Sequence, residues 1–90
     1  MEIKHNPERQ KFTISLDGKE AVLFYRLEGK IMDILKVKVP AEFRGMGLAE
    51  KITLHVFNYA KEKCYRIIST CSYTKNKFLK DHKEFDNLLK

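Results

Sequence analysis

The hydrophobic period of this chain changes once, at Pro40, and that change limits what it can fold into. Before it, Ile31 to Val39 is β-rich, with Leu35, Val37 and Val39 on one face and Ile34, Lys36 and Lys38 on the other. After it, Leu48, Ile52, Val56 and Ala60 recur at every fourth position between Gly47 and Lys63, with Ala49, Phe57 and Cys64 beside them. That is one apolar stripe on a helix of about four to five turns. Pro40 has no amide to donate and ends the strand. Tyr65 to Cys71 (YRIISTC) then reads as a short buried strand. Strand, crossover helix and strand form a βαβ unit, so these two strands are expected to be parallel neighbours.

Upstream, the chain reads as β-hairpins. Phe12, Ile14 and Leu16 alternate with Thr13 and Ser15 from Lys11 to Leu16, and Asp17-Gly18 supplies a hairpin turn. Glu20 to Leu27 is nearly continuous apolar sequence, which predicts a strand covered on both faces. Glu28-Gly29-Lys30 is the next turn. Downstream, Thr74 to Lys90 reads as broken helix, with Phe78 and Leu79 in one piece and Phe85, Leu88 and Leu89 in another. The fold class expected is α/β in the α+β sense: antiparallel hairpins, a βαβ unit and short C-terminal helices. Residues 1–90 are read as a single domain.

Such a short chain buries only roughly 60% of its unfolded surface, so any large cleft must use much of the protein. A hydrophobic fraction of 43% and a charged fraction of 33% exclude a disordered chain. No run approaches the ~20 apolar residues of a membrane span. The start, MEIKHNPERQ, lacks the apolar run of a signal peptide. Cys64 and Cys71 are not spaced as a zinc or redox motif, and no metal site is expected. Cys64 is read as core. A disulfide is not expected, and a reducing cytoplasm is the expected location. The net charge of +6 favours phosphate-bearing partners without choosing among them.

Between strand and helix lie Ala41-Glu42-Phe43-Arg44-Gly45-Met46-Gly47-Leu48-Ala49. Glycines there permit positive φ and close ligand approach. The first turn of a helix has free N–H groups and the positive end of its dipole. Together they make an anion site suited to a pyrophosphate, with Arg44 adding charge. The segment is neither a Rossmann nor a Walker pattern.

The run Arg44-Gly45-Met46-Gly47-Leu48-Ala49 matches the Gln/Arg-x-x-Gly-x-Gly/Ala motif, and the chain resembles the GNAT superfamily of N-acetyltransferases. VPAEFRGMGLAEKI followed by ISTCSYTKNKFLKDHKEFDNLL is similar to its small single-domain members, which carry a V-P-x-x-x-R-G-x-G loop and a P-x-C-x-Y strand ending. The resemblance covers nearly the whole chain. It implies a mixed sheet with splayed parallel strands and acetyl-CoA lying in the gap. It implies that the backbone of Val37, Lys38 and Val39 pairs with the pantetheine arm. It implies that Arg44, Gly45, Met46, Gly47, Leu48 and Ala49 hold the pyrophosphate.

Four positions depart from the family. Lys36 stands where small members often have His, and Ser69 where they have Pro. Cys71 takes the place of an Asn, and Phe78 that of the Tyr that protonates the leaving thiolate in many members. Phe78 has no proton to give, so Cys71 or Tyr73 becomes the candidate acid. The same resemblance puts Cys71 beside the acetyl thioester, as a cofactor contact or a nucleophile. Read from the residue alone, Cys71 is a small buried hydrophobe ending a strand, and Tyr73 packs at the strand end. Glu42 is either a base for the amine or a solvated loop acid, His55 is read as a surface or boundary residue beside the helix stripe, and His5 and His82 have no partner identifiable from sequence.

The function implied is acetyl-CoA-dependent transfer to an amine. No helix separates the first strands, since Asp17-Gly18 joins them directly, so the acceptor site is expected to be open or made by a partner chain, and an open site suits a protein or peptide. The alternative is a non-catalytic acyl-CoA-binding module. A nucleic-acid-binding domain would explain Lys36, Lys38, Lys75, Lys77 and Lys80, but the aromatic stacking pattern of single-strand binders is missing. A monomer or weak dimer is expected.

Overall fold

A computed structural model describes residues 2–90 of the chain. Its strands are β1 (Ile3–Asn6), β2 (Lys11–Leu16), β3 (Lys19–Glu28), β4 (Ile31–Lys38) and β5 (Arg66–Ser69). They form one sheet in sequence order. Asp17 (φ 51°) and Gly18 (φ 76°) both adopt positive φ, which is the mirror-image turn that suits the right-handed twist of a hairpin. β1 to β4 are antiparallel, and β4 and β5 pair in parallel from Ile31↔Arg66 to Ile34↔Ser69, as the βαβ reading requires.

The helix between them, α1 (Leu48–Lys63), buries Leu48, Ile52, Thr53, Val56, Phe57 and Ala60. It packs against β2, β3, β4 and β5. Full burial of each large apolar side chain on this stripe contributes about 1.5–3 kcal/mol. Beyond β5 the chain enters a π-helical segment (Thr74–Phe78) that continues as α2 (Leu79–Asp81). His82 breaks it, and a 3₁₀ helix (Lys83–Leu88) follows. Phe78 and Phe85 pack on Phe57 with ring centroids 4.9 and 5.2 Å away, so this tail shares the α1 side of the sheet. Leu89 then bridges Ile67, and the Lys90 N–H donates to the Ile67 carbonyl at 3.0 Å. Among the described residues no helix is long and apolar enough to cross a membrane.

Several expectations change. The strand β1 was hidden because one of its core-side residues is His5, stacked on Phe12 at 4.0 Å, rather than an apolar side chain. β3 is covered on one face only: Ala21, Leu23 and Tyr25 are buried, while Val22 and Phe24 are half-buried. Among the described residues, α1 packs on the face that buries Ala21, Leu23 and Tyr25, and Phe78 and Phe85 of the C-terminal segments join it there through Phe57. The faces of β4 also reverse partway. Phe24 stands opposite Lys36 and Tyr25 opposite Ile34, so Leu35 is an extra, unpaired residue. Ile34 therefore joins Met32 in the core, and Leu35 is 37% exposed, the opposite of strict alternation. One added residue shifts the period by one and exchanges the faces of the residues beyond it. Val37 and Val39 come back to the core side as expected. β5 stops at Ser69, so Cys71 lies past the strand rather than on it. Cys64 is exposed at the C-cap of α1, where its φ of 62° turns it out of the core.

Candidate functional site

The bulge at Leu35 is where β4 leaves β5. The N–H groups of Thr70 and Cys71 both donate to the Ile34 carbonyl, at 2.9 and 3.0 Å. The Thr70 N–H and hydroxyl also donate to the Asp33 carboxylate at 3.1 Å. These bonds fix the branch point. Beyond it β4 continues to Lys38 with no β5 partner, so one backbone edge of Lys36 to Lys38 faces a gap.

The chain then enters a 3₁₀ turn (Ala41–Phe43) that buries Phe43 as an anchor. Glu42 pairs with Lys19, tying the loop to the β2–β3 hairpin, and that hydrogen bond holds the Glu42 carboxyl below its usual range. Gly45 (φ 88°) and Gly47 (φ 76°) make the turn into α1. A Cβ at either glycine would meet nothing within 4 Å, so the demand for glycine is conformational and the space beside it is open. Gly47 offers no side-chain cap. The first α1 N–H that reaches back is that of Lys51, to the Gly47 carbonyl at 3.0 Å. Among the described residues, the N–H groups of Leu48, Ala49 and Glu50 have no such partner, which leaves an uncapped positive helix end.

The β4 edge and the helix start open into one cavity of about 800 Å³, a volume suited to a small-molecule or cofactor ligand. Val37, Lys38, Val39, Arg44, Gly45, Gly47, Leu48, Ala49 and Tyr73 all line it, as do Lys36, Phe43, Glu50, Lys77 and Asp81. Met46 is 52% exposed and is not part of the wall. Cys71 is buried and also outside the wall; its carbonyl accepts from the Ser69 hydroxyl at 3.0 Å. Phe78 is 1% exposed within the aromatic core, away from the cavity lining.

The acids of the wall are engaged. Asp81 pairs with Lys77 at 3.5 Å, and Glu50 with His82 at 2.8 Å. His82 also faces Glu84 at 3.2 Å through its other nitrogen. Carboxylates only accept, so two hydrogen bonds require both ring nitrogens protonated. Those bonds raise the His82 pKa. Lys36, Lys38 and Arg44 have no ion-pair partner among the described residues, so the free charge on the wall is positive. The Tyr73 phenol is pushed up, first by burial and then by Glu50, Asp81 and Cys71, which keeps its proton on. Among the described residues no group of side chains could hold a metal ion.

Glu50, Lys77, Asp81 and His82 went unread from sequence as site neighbours. Tyr73, Lys77 and Asp81 do recur at every fourth position. That spacing becomes informative only once the π-helical segment and α2 are known to lie beside the start of α1.

A strand that parts from its parallel neighbour, a glycine turn and an uncapped helix around a basic cavity define an α+β domain fitted to an anionic ligand. Residues 11–88 match the model of the GCN5-related N-acetyl-transferase family, and the chain belongs to that family. It is similar to Protein NATD1 of Bos taurus, 34% identical over 83 residues that span 89% of this chain and 73% of the relative. Protein NATD1 of Homo sapiens is 31% identical over the same shares of both chains. A GCN5-like protein from Staphylococcus aureus, solved in solution by NMR, superposes with a TM-score of 0.78 at 27% identity. That match covers 99% of this chain and 87% of the other.

Proposed function

We propose that the chain is an acetyl-CoA-dependent N-acetyltransferase that transfers to an amine acceptor. The observation that carries the reading is the opening of an unpaired strand edge and an uncapped helix start into the same basic cavity. Family membership supports it. The free N–H groups of Leu48 and Ala49 and the glycine turn are suited to a pyrophosphate, with Arg44 as a charged flank. The backbone of Val37, Lys38 and Val39 is suited to an amide-bearing arm. Bound acetyl-CoA would supply an activated thioester. Tyr73, half-buried in the wall and holding its proton, is the residue best placed to donate to a leaving thiolate. Cys71 has a weaker claim, since its side chain is buried behind the wall. Free thiols at Cys64 and Cys71 fit a reducing cytoplasm.

A second reading, a non-catalytic acyl-CoA-binding module, is favoured by one observation: Phe78 is packed into the aromatic core and has no proton to donate. Titration with acetyl-CoA, followed by NMR, tests the cofactor. Amides of Gly45, Gly47 and Leu48 are expected to shift, and no response at millimolar ligand sinks both readings. Labelled acetyl-CoA with an amine panel then separates enzyme from binder. Tyr73→Phe is expected to lower turnover by about a hundredfold with binding retained. Undiminished turnover in Cys71→Ala removes that thiol from the chemistry.

A further inference from the structure

We infer that the sheet face opposite α1 is a docking surface for an acidic protein segment. Strand register assembles it. Lys11, Phe24 and Lys36 stand side by side across β2, β3 and β4, and Thr13, Val22 and Lys38 form the adjoining row. An aromatic ring is thus flanked on both sides by lysines. Lys11, Lys36 and Lys38 have no ion-pair partner among the described residues.

The acids on this face do not neutralise them. Glu28 lies 4.0 Å from Arg26 and the Asp33 carboxylate is taken by Thr70, while Glu8 and Glu20 line a groove with Lys11 and Thr13 but form no ion pair there among the described residues. Ile68 on β5, opposite Asp33, is 40% exposed, and Leu35, two residues further along β4, is 37% exposed. A mixed apolar and cationic surface of this kind complements a segment in which carboxylates alternate with aliphatic or aromatic side chains.

Other occupants fit less well. A second copy related by a twofold axis would bring one set of lysines against the other. A nucleic acid would use the lysines and Phe24, but that single ring is half-buried and Leu35 and Ile68 offer no second ring to stack on. A lysine-rich tail would be repelled. Lys36 and Lys38 also line the proposed cofactor cavity, so the face is tested without acetyl-CoA present and is read at Lys11 and Phe24, which lie outside that lining; failure to bind acetyl-CoA then leaves the inference untouched.

The test uses the whole chain and a fluorescein-labelled peptide alternating Glu and Leu, followed by anisotropy and by amide shifts. The expected result is binding that shifts Lys11 and Phe24. Lys11→Glu should weaken it by about tenfold or more, with the same direction in Lys11→Gln. Lys61→Glu, the same charge change on the exposed side of α1, should leave it nearly unchanged. A thermal midpoint retained in each variant shows that the fold is intact. Absence of binding at millimolar peptide overturns the inference, as does equal weakening by Lys61→Glu. Tighter binding of an oligothymidylate to the same amides would reassign the face to nucleic acid. A dimer in sedimentation that buries these residues would reassign it to a second copy.

Discussion

The two halves of β4 share a strand but not a job. From Ile31 to Ile34 the backbone is paired on both sides, to β3 and to β5, and Met32 and Ile34 are fully buried. From Lys36 to Lys38 it is paired to β3 alone, and its free edge lines a basic cavity. A single unpaired residue, Leu35, separates them. The binding gap is therefore made by a local break in a ladder, and its cost falls on a stretch where the core has already been secured.

The sharpest contrast is between neighbours. Ile34→Ala should destabilise by about 2–5 kcal/mol, as buried aliphatic truncations do. Leu35→Ala should stay within about 0.5 kcal/mol. Urea unfolding checks both, and equal losses would mean that the bulge lies elsewhere. Next in size is the glycine turn. Gly47→Val forces a β-branched residue into the left-handed region at a cost of about 1–2 kcal/mol, and acetyl-CoA binding measured by calorimetry should fall well beyond that loss. Arg44→Gln touches only the cavity that the second half lines. It should weaken acetyl-CoA by about tenfold, with less dependence on salt, while the unfolding midpoint holds.

The smallest effect is on pH. His82, bonded to Glu50 and Glu84, has a folded pKa above its ordinary 6.5. Its contribution is complete below pH 6.5 and is lost as pH rises through the folded value. His5, held below 6.5 by burial and by His55, does the reverse: its contribution is present above pH 6.5 and is lost as pH falls through the folded value. Thermal midpoints across pH should therefore lose their alkaline slope in His82→Gln and part of their acid slope in His5→Phe. An unchanged alkaline slope in His82→Gln would show that His82 does not tie the cavity wall to the C-terminal turn.

Much of this was readable along the chain because it depends on near neighbours. Recurrence at every fourth position marked α1, Asp17-Gly18 marked a hairpin, and Gly45 and Gly47 marked the turn into the helix. Those glycine-loop residues do line one cavity with Val37, Lys38 and Val39. Cys71 lies buried and off the cavity lining, because its place in a motif says nothing about which side of the strand end its thiol takes. His5 misled because a histidine in an aromatic stack serves as a core residue without looking like one.

The sequence alone determined the order of elements, the parallel βαβ pair and the chemistry of the loop, since each depends on local periodicity and backbone preference. The tertiary structure decided the rest. Where β4 bulges depends on which residue of β3 stands opposite, and no pattern within β4 contains that fact. The same holds for the union of Glu50 with His82 and for the lysines flanking Phe24. Both bring together residues far apart in the chain, and only packing determines which of them meet.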